Sequence, residues 1–279
     1  MQQSIRTDQI PSNLTLLWKG FTKRCDNAEL PDAQIEVANF RLDPAKLKRY
    51  NAFCGFESGA LPLSFPFVAT QPLQLMLLTD PDVPVKPLGM IHMGVRFVQS
   101  APMDTDSDYR FVLNVGTQQR TDAGLEFELV GRFFGAQDQE VAAYYSRCLL
   151  RMPPPENSRR RRPARTPRVT RDWQALASLT LDTASARGYA KISGDYNPIH
   201  LHRFTAKPFG FDAPIAHGMY MVAKVLSTVK TPLKAAEFDF KRPALLPISA
   251  TVEGEGEALR LVNEGGKPLL EGQVSPLEA

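Results

Sequence analysis

An aspartate and a histidine five residues apart, Asp195 and His200, lie in the stretch SGDYNPIHLHRFTAKPFGFDAPIAHGM, residues 193–219. Asn197 and Pro198 stand between them. An acid and an imidazole held by a Pro-containing turn are the groups that general acid/base chemistry on a water molecule needs. Any isolated Asp/His pair at this spacing is more often turn chemistry and packing, because Asp and Asn side chains bond local backbone groups. Co-occurrence argues for chemistry: SGD, NPIH, an Asp-Ala-Pro turn at 212–214 and Ala216-His217-Gly218 fall within 27 residues. Gly218 opens an apolar run, where a bare helix N-terminus can offer an N–H to a developing oxyanion. Met219, Tyr220, Met221 and Val222 follow as an apolar wall, a pattern that elsewhere is plain core.

Other polar groups near this stretch are weaker candidates. Three of the four histidines, His200, His202 and His217, sit inside 18 residues, and Asp195 or Asp212 could add a carboxylate. With Leu201 the only spacer and no further ligand signal, no metal is expected. His217 reads first as a helix-entry hydrogen-bond group and second as a substrate contact. Lys241 and Arg242 sit at a strand exit, where a solvated end and a phosphate contact are equally good readings.

The elements that must position these residues recur. A helical pattern begins at Asp43, an N-cap followed by Pro44. An apolar run from Phe65 to Leu78 and strand-like segments near 88–99, 108–120, 124–135 and 139–151 follow. The second half has a helical pattern near 182–192, the motif, and an apolar run from His217 to Val229. Its strand-like segments lie near 235–242, 248–257, 258–264 and 268–275. At an offset of 139, Tyr50–Gly55 overlies Tyr189–Gly194. Asp195 then falls on Phe56, Asn197 on Ser58 and His200 on Leu61, so the first copy keeps the scaffold without the chemistry. A helix followed by a strand meander, present twice, is an α+β fold, with the apolar helix across the concave face of an antiparallel sheet.

Composition closes off other classes. The 279 residues are 43% hydrophobic and 23% charged, as in ordinary globular chains. No apolar stretch reaches the roughly 18 residues of a membrane span. Leu14–Trp18 is too short, and its basic residues lie on the wrong side, for a signal peptide. Cys25, Cys54 and Cys148 are odd in number and scattered, which fits a reducing compartment, so a cytoplasmic protein is expected. Residues 158–168 hold six arginines, and without them the formal charge of +3 becomes −3. Opened by Pro153-Pro-Pro155, this segment reads as a linker at 153–170 between domains 1–152 and 171–279. A basic rim for an anionic ligand, or a nucleic-acid tether through Arg159–Arg162, are the sharper readings, and no nucleic-acid partner is expected.

At the motif residues the chain resembles the MaoC-like (R)-specific enoyl-CoA hydratase and acyl dehydratase family. The carriers are SGD-Y-NPIHLH and GFDAPIAHGM, joined by CGF, LP, LMLLTDPDVP and PLGMIHMGVRF in the first half. The likeness covers roughly residues 30–275. It implies a double hotdog, two repeats in which an antiparallel sheet wraps a central helix. It also implies that Asp195 and His200 form the catalytic pair, Asn197 orients the site, and Gly218 N–H binds a thioester oxygen. His217, Met219, Tyr220, Lys241 and Arg242 would contact substrate. The first half would lack catalytic residues and shape the acyl pocket. His202 departs from the acidic residue common in relatives, and Leu226 stands where some carry a serine, with Ser227 beside it. The implied reaction is reversible syn addition of water to a trans-2-enoyl thioester, giving the (R)-3-hydroxyacyl thioester. It needs no cofactor, coenzyme A or acyl carrier protein serving only as the substrate's handle. Thioester hydrolysis and non-catalytic acyl-thioester binding are the alternatives, and a homodimer is left open.

Overall fold

The computed structural model describes residues 2–5, 16, 29–154 and 171–277. The arginine-rich segment 158–168 and Cys25 lie outside the described residues. Eleven strands form one sheet: β1 (Gln2–Ile5), β2 (Gln34–Phe40), β3 (Ile91–Gln99), β4 (Tyr109–Thr121), β5 (Gly124–Phe134), β6 (Glu140–Arg151), β7 (Gln174–Leu181), β8 (Leu233–Phe240), β9 (Ile248–Glu255), β10 (Ala258–Asn263) and β11 (Pro268–Pro276). Their order across the sheet is β1-β2-β4-β5-β6-β3-β8-β11-β10-β9-β7. Read inward from each edge, β2-β4-β5-β6-β3 and β7-β9-β10-β11-β8 are the same arrangement, so the chain is a double hotdog. The halves join where β3 and β8 run antiparallel, from Gly94↔Asp239 to Val98↔Ala235. Only β1 pairs in parallel, with β2.

Among the described residues these α-helices accompany the sheet: α1 (Pro44–Cys54), α2 (Phe65–Ala69), α3 (Gln71–Thr79), α4 (Thr183–Ser193), α5 (Arg203–Ala206) and α6 (Gly218–Leu226). Matching local chemistry starts and stops α1 and α4. Asp43 accepts from Ala45 N–H at 2.8 Å, and Asp182 accepts from Ser185 N–H at 2.7 Å. Both helices end on a left-handed glycine, Gly55 (φ 92) and Gly194 (φ 85), a conformation that disfavours any side chain. The two helices lie 139 residues apart, as the sequence offset requires.

The expected layout lacked the strand that opens each half. In β2 the alternation Ile35 in, Glu36 out, Val37 in was legible. In β7, Gln174-Ala-Leu-Ala-Ser-Leu-Thr-Leu181 is an edge strand exposed along most of its length, with little apolar signal. The run from Phe65 to Leu78 is two helices, not one. Thr70 separates them, its hydroxyl donating to Pro66 O (3.0 Å) or Phe67 O (3.2 Å), and Pro72 supplies no N–H. α6 is buried almost all round, with Val222, Ala223 and Val225 at 0% exposure, so this helix is apolar because no face meets water.

Candidate active site

The αL glycine ending α4 turns the chain sharply, and Asp195 is the next residue. Its Oδ1 accepts Asn197 N–H at 3.1 Å, and its own N–H donates to Ser193 Oγ at 3.1 Å. Asn197 Oδ1 in turn accepts Ile199 N–H at 3.4 Å, starting the single 3-10 turn Pro198–His200. Asn197 therefore places the dyad through the backbone. His200 is 8% exposed, and its Nδ1 lies 2.8 Å from Ile215 O. A carbonyl only accepts, so Nδ1 carries the hydrogen and Nε2 keeps a free lone pair.

His217 supports this arrangement from behind. Its Nε2–H donates to Asp195 O at 3.0 Å, and its ring stacks on His200 with centroids 3.8 Å apart and 28° between planes. It was expected to touch substrate. It stands beneath His200, off the cavity wall, and its Nδ1 has no partner among the described residues. One ligand-type atom from each of Asp195, His200 and His217 lies within 4.8 Å of the others. One nitrogen of each ring is already taken up by a backbone carbonyl, His200 Nδ1 by Ile215 O and His217 Nε2 by Asp195 O.

Electrostatics sets the protonation states. Burial pushes the Asp195 carboxyl up. The imidazoles of His217 and His200, Asn197 N–H and the Gln71 side chain outweigh it and hold the carboxyl below its ordinary value. Burial lowers His200 against the pull of Asp195, and lowers His217 to about 3, with His200 adding to the effect. At neutral pH the site holds one carboxylate and two neutral imidazoles.

A cavity of about 590 Å³ opens in front of the dyad and is walled by both halves. Asp195, Asn197, His200, Gly218, Met219 and Met221 line its reactive end, and Leu75, Leu78, Leu88, Met90 and Leu129 extend it into the first half. The first intrahelical bonds of α6 run from Tyr220 and Met221 N–H to His217 O, both 3.1 Å. The N–H groups of Gly218 and Met219 are therefore left without an intrahelical acceptor, beside the dyad. Gly218 is glycine for a packing reason as well: a Cβ there would sit 2.8 Å from the Phe240 ring.

The remaining candidates separate. Tyr220 turns from the cavity and packs between the halves, on Phe53 (5.4 Å) and Tyr189 (5.1 Å). Lys241 and Arg242 line the cavity. The Lys241 ammonium is held by Asp239 (2.9 Å) and Glu271 (3.8 Å), whereas Arg242 bonds Pro268 O at 2.8 Å and has no carboxylate partner among the described residues. His202 caps α5 by accepting Phe204 N–H at 3.3 Å. Two lining residues carried no signal in the sequence. Gln71 lines the cavity together with Asp195. His92, on β3, stacks against Phe67 and lies 3.0 Å from Ser146 Oγ, burial lowering it to about 4.

Residues 162–244 match the MaoC like domain family. The chain is 29% identical over 243 residues to 3-hydroxyacyl-thioester dehydratase X of Mycobacterium tuberculosis, covering 82% of this chain and 83% of that one. The crystal structure of HtdX from Mycobacterium tuberculosis superposes with a TM-score of 0.75 at 28% identity, over 88% of this chain and 100% of that one. A MaoC-like dehydratase from Phytophthora capsici shares the fold, with a TM-score of 0.65 at 19% identity over 90% and 96% of the two chains. The stretch that matches the MaoC like domain, residues 162–244, is thus the one that holds the Asp/His pair in its Pro-containing turn and the bare helix N-terminus facing it.

Proposed function

We propose that the protein is a hydro-lyase that adds water to, or removes it from, the Cα–Cβ bond of an acyl thioester. The observation that carries this reading is the shared mouth of one cavity: a carboxylate, an imidazole with its lone pair free, and unbonded helix N–H groups. The relative named as a 3-hydroxyacyl-thioester dehydratase supports the same substrate class.

In the hydration direction a water lies between Asp195 and His200 Nε2. Its oxygen bonds Cβ of a trans-2-enoyl thioester as Nε2 takes its proton. The alkene electron pair moves onto the thioester oxygen, which Gly218 N–H receives. Asp195 balances the imidazolium, whose Nε2–H then protonates Cα and regenerates both the carbonyl and the neutral imidazole. One base serving both steps from one face gives syn addition and the (R)-3-hydroxy product. Acid/base assistance of this type supplies about 10²- to 10⁴-fold, and one oxyanion donor about 3–4 kcal/mol. Arg242 at the cavity wall meets the anionic part of a coenzyme A or carrier-protein handle.

Loss of enoyl absorbance with short and long trans-2-enoyl-CoAs tests the reading. Wild type should hydrate to (R) product, and Asp195→Asn and His200→Gln should each fall at least about a hundredfold. Folded wild type that releases free thiol instead is a thioesterase. Binding without turnover makes it an acyl-thioester binding protein.

A further inference from the structure

Where the cavity runs into the first half, its wall is not uniformly apolar. Phe67 of α2 and Gln74, Leu75 and Leu78 of α3 stand on the helix side, His92 of β3 and Ser146 of β6 on the sheet side. A β-bulge aims His92 inward. His92 faces Cys148 and Gly94 faces Arg147, so Met93 is the extra residue. Strict alternation would send His92 and Val95 to opposite faces of β3. The bulge instead puts both on the face shared by Cys148 and Ser146, their partners in β6.

The imidazole lies between two rings, stacked on Phe67 (centroids 5.8 Å, 8° between planes) and tilted against Phe240 (4.9 Å). Its Nε2 is 3.0 Å from Ser146 Oγ. Phe240 is also the ring that crowds Gly218, so the His92–Ser146 pair stands one aromatic ring away from the bare N-terminus of α6. Phe67 brings in a third polar group. Its ring packs edge-on against Tyr144 at 5.1 Å, and its carbonyl accepts from Gln74 Nε2 at 3.0 Å. Gln74 Nε2 also donates to Tyr144 OH at 3.2 Å. A carbonyl only accepts, which fixes this end of the amide as nitrogen. Gln74 Oε1 is then an acceptor on the cavity wall without a partner among the described residues. Tyr144 and Ser146 are alternate residues of β6 and share its inward face, so the amide and the pair frame one stretch of the cavity.

A plain hydrocarbon chain has no use for these groups. Polar atoms that face it lose water and gain no bond, which weakens binding. A hydroxyl on the chain reverses the sign. Burial pushes His92 down to about 4, so at neutral pH it carries a single N–H. With that hydrogen on Nε2, Ser146 accepts it and its own O–H is free. With it on Nδ1, Ser146 donates and its oxygen lone pairs are free. A hydroxyl, donor and acceptor at once, is served in both cases. Resting on the hydro-lyase reading above, we propose that His92, Ser146 and Gln74 form a subsite for a hydroxyl group carried on the acyl chain beyond Cβ. The half without the dyad then selects an acyl thioester that already bears a second oxygen function.

The probes are trans-2-enoyl-CoAs of one medium chain length, plain or with a hydroxyl moved carbon by carbon along the chain beyond Cβ. The quantity read is kcat/KM for the hydroxylated probe over that for the plain one, taken within each enzyme, so a general loss of activity cancels. In wild type one hydroxyl position should raise this ratio to about tenfold. His92→Phe combined with Ser146→Ala keeps the ring stack and removes both polar groups. It should bring the ratio below one, because the hydroxyl then enters an apolar wall unpaired. Gln74→Leu is made separately, and should lower the ratio by about threefold or more. Thermal melting shows which variants fold. Ratios near one at every position in wild type overturn the proposal, and so does a preference that survives in every folded variant. Wild type that hydrates none of the probes would instead sink the hydro-lyase reading. Calorimetric binding of saturated acyl-CoAs, plain and hydroxylated, then decides the subsite by itself. Tighter binding at one hydroxyl position, lost in the variants, upholds it, and equal binding throughout refutes it.

Discussion

The two halves share their frame and differ in one loop. Both helices α1 and α4 are opened by an aspartate and closed by a left-handed glycine. From that glycine to the central helix the chain takes 16 residues in the first half, Gly55 to Gln71, and 24 in the second, Gly194 to Gly218. After Gly55 comes Phe56, which stacks on Tyr50 at 5.8 Å, and Leu61 packs against the core. After Gly194 comes Asp195, and the longer loop brings in His200 and His217. Tyr50 OH is satisfied by Ser64 Oγ at 2.8 Å, whereas its counterpart Tyr189 OH is buried without a partner among the described residues. The frame makes a place for a residue beyond the glycine, and the loop alone decides whether that place is core or chemistry.

The comparison breaks most sharply if the second half is made to resemble the first. His200→Leu, which installs the residue found at position 61, should cost about 10²- to 10⁴-fold in kcat. Melting at neutral pH should fall modestly, by about 1–3 kcal/mol of stability at most, since Ile215 O loses the His200 Nδ1–H donor. A smaller loss is expected from Gly218→Ala. The added methyl displaces Phe240 and shifts the N–H donor, lowering kcat/KM by about 10²-fold.

Stability against pH reads the buried histidines on both sides of the β3–β8 seam. His92 titrates near 4 in the folded chain against an ordinary value of 6.5, so the unfolded chain binds its proton more readily. The stability it contributes is whole above 6.5 and is lost as pH falls toward 4, by about 3 kcal/mol. His217, lowered to about 3, and the depressed Asp195 act with the same sign. Denaturant midpoints between pH 7 and 4 should show this decline, and His92→Phe should remove part of it. The smallest effects make the cleanest contrast. Gly55→Ala and Gly194→Ala should each cost on the order of 1 kcal/mol of stability, since each forces a Cβ into the left-handed region. Only Gly194→Ala should also lower kcat, because Asp195 follows it directly. Equal kinetic effects at both glycines would mean that the halves are not functionally divided at this loop.

How far these features could be read in sequence depended on the range of the interactions involved. The caps at Asp43 and Asp182, the two terminal glycines and the Asp195–His200 turn are local, and each is written within a few residues. A strand with alternating burial, β9, was legible for the same reason. β7 was not, because it is an edge strand with Gln174, Ala175, Leu176, Ser178 and Thr180 all exposed, so polar and apolar residues do not separate onto two faces. Gln71 was invisible: at the start of an apolar helix it is an ordinary polar helix former. It shares a cavity wall with Asp195, 124 residues away, only when the second half folds against the first. His92 was missed likewise, a lone histidine in a largely apolar strand, with Ser146 and Phe67 beside it only in three dimensions. Tyr220 was misplaced because an apolar helix buried on all sides gives no periodicity to say which residues meet the cavity.

The antiparallel seam between β3 and β8 has a consequence for how such a molecule can change. Where two identical subunits pair about a two-fold axis, every substitution is made twice, and each residue must suit both copies of its surroundings. Here both partners belong to one continuous sheet and one chain, so the duplicate positions are independent. The opening residue of the central helix can be a bare glycine beside the dyad and a glutamine on the cavity wall of the other half, a difference that no symmetric pair could hold.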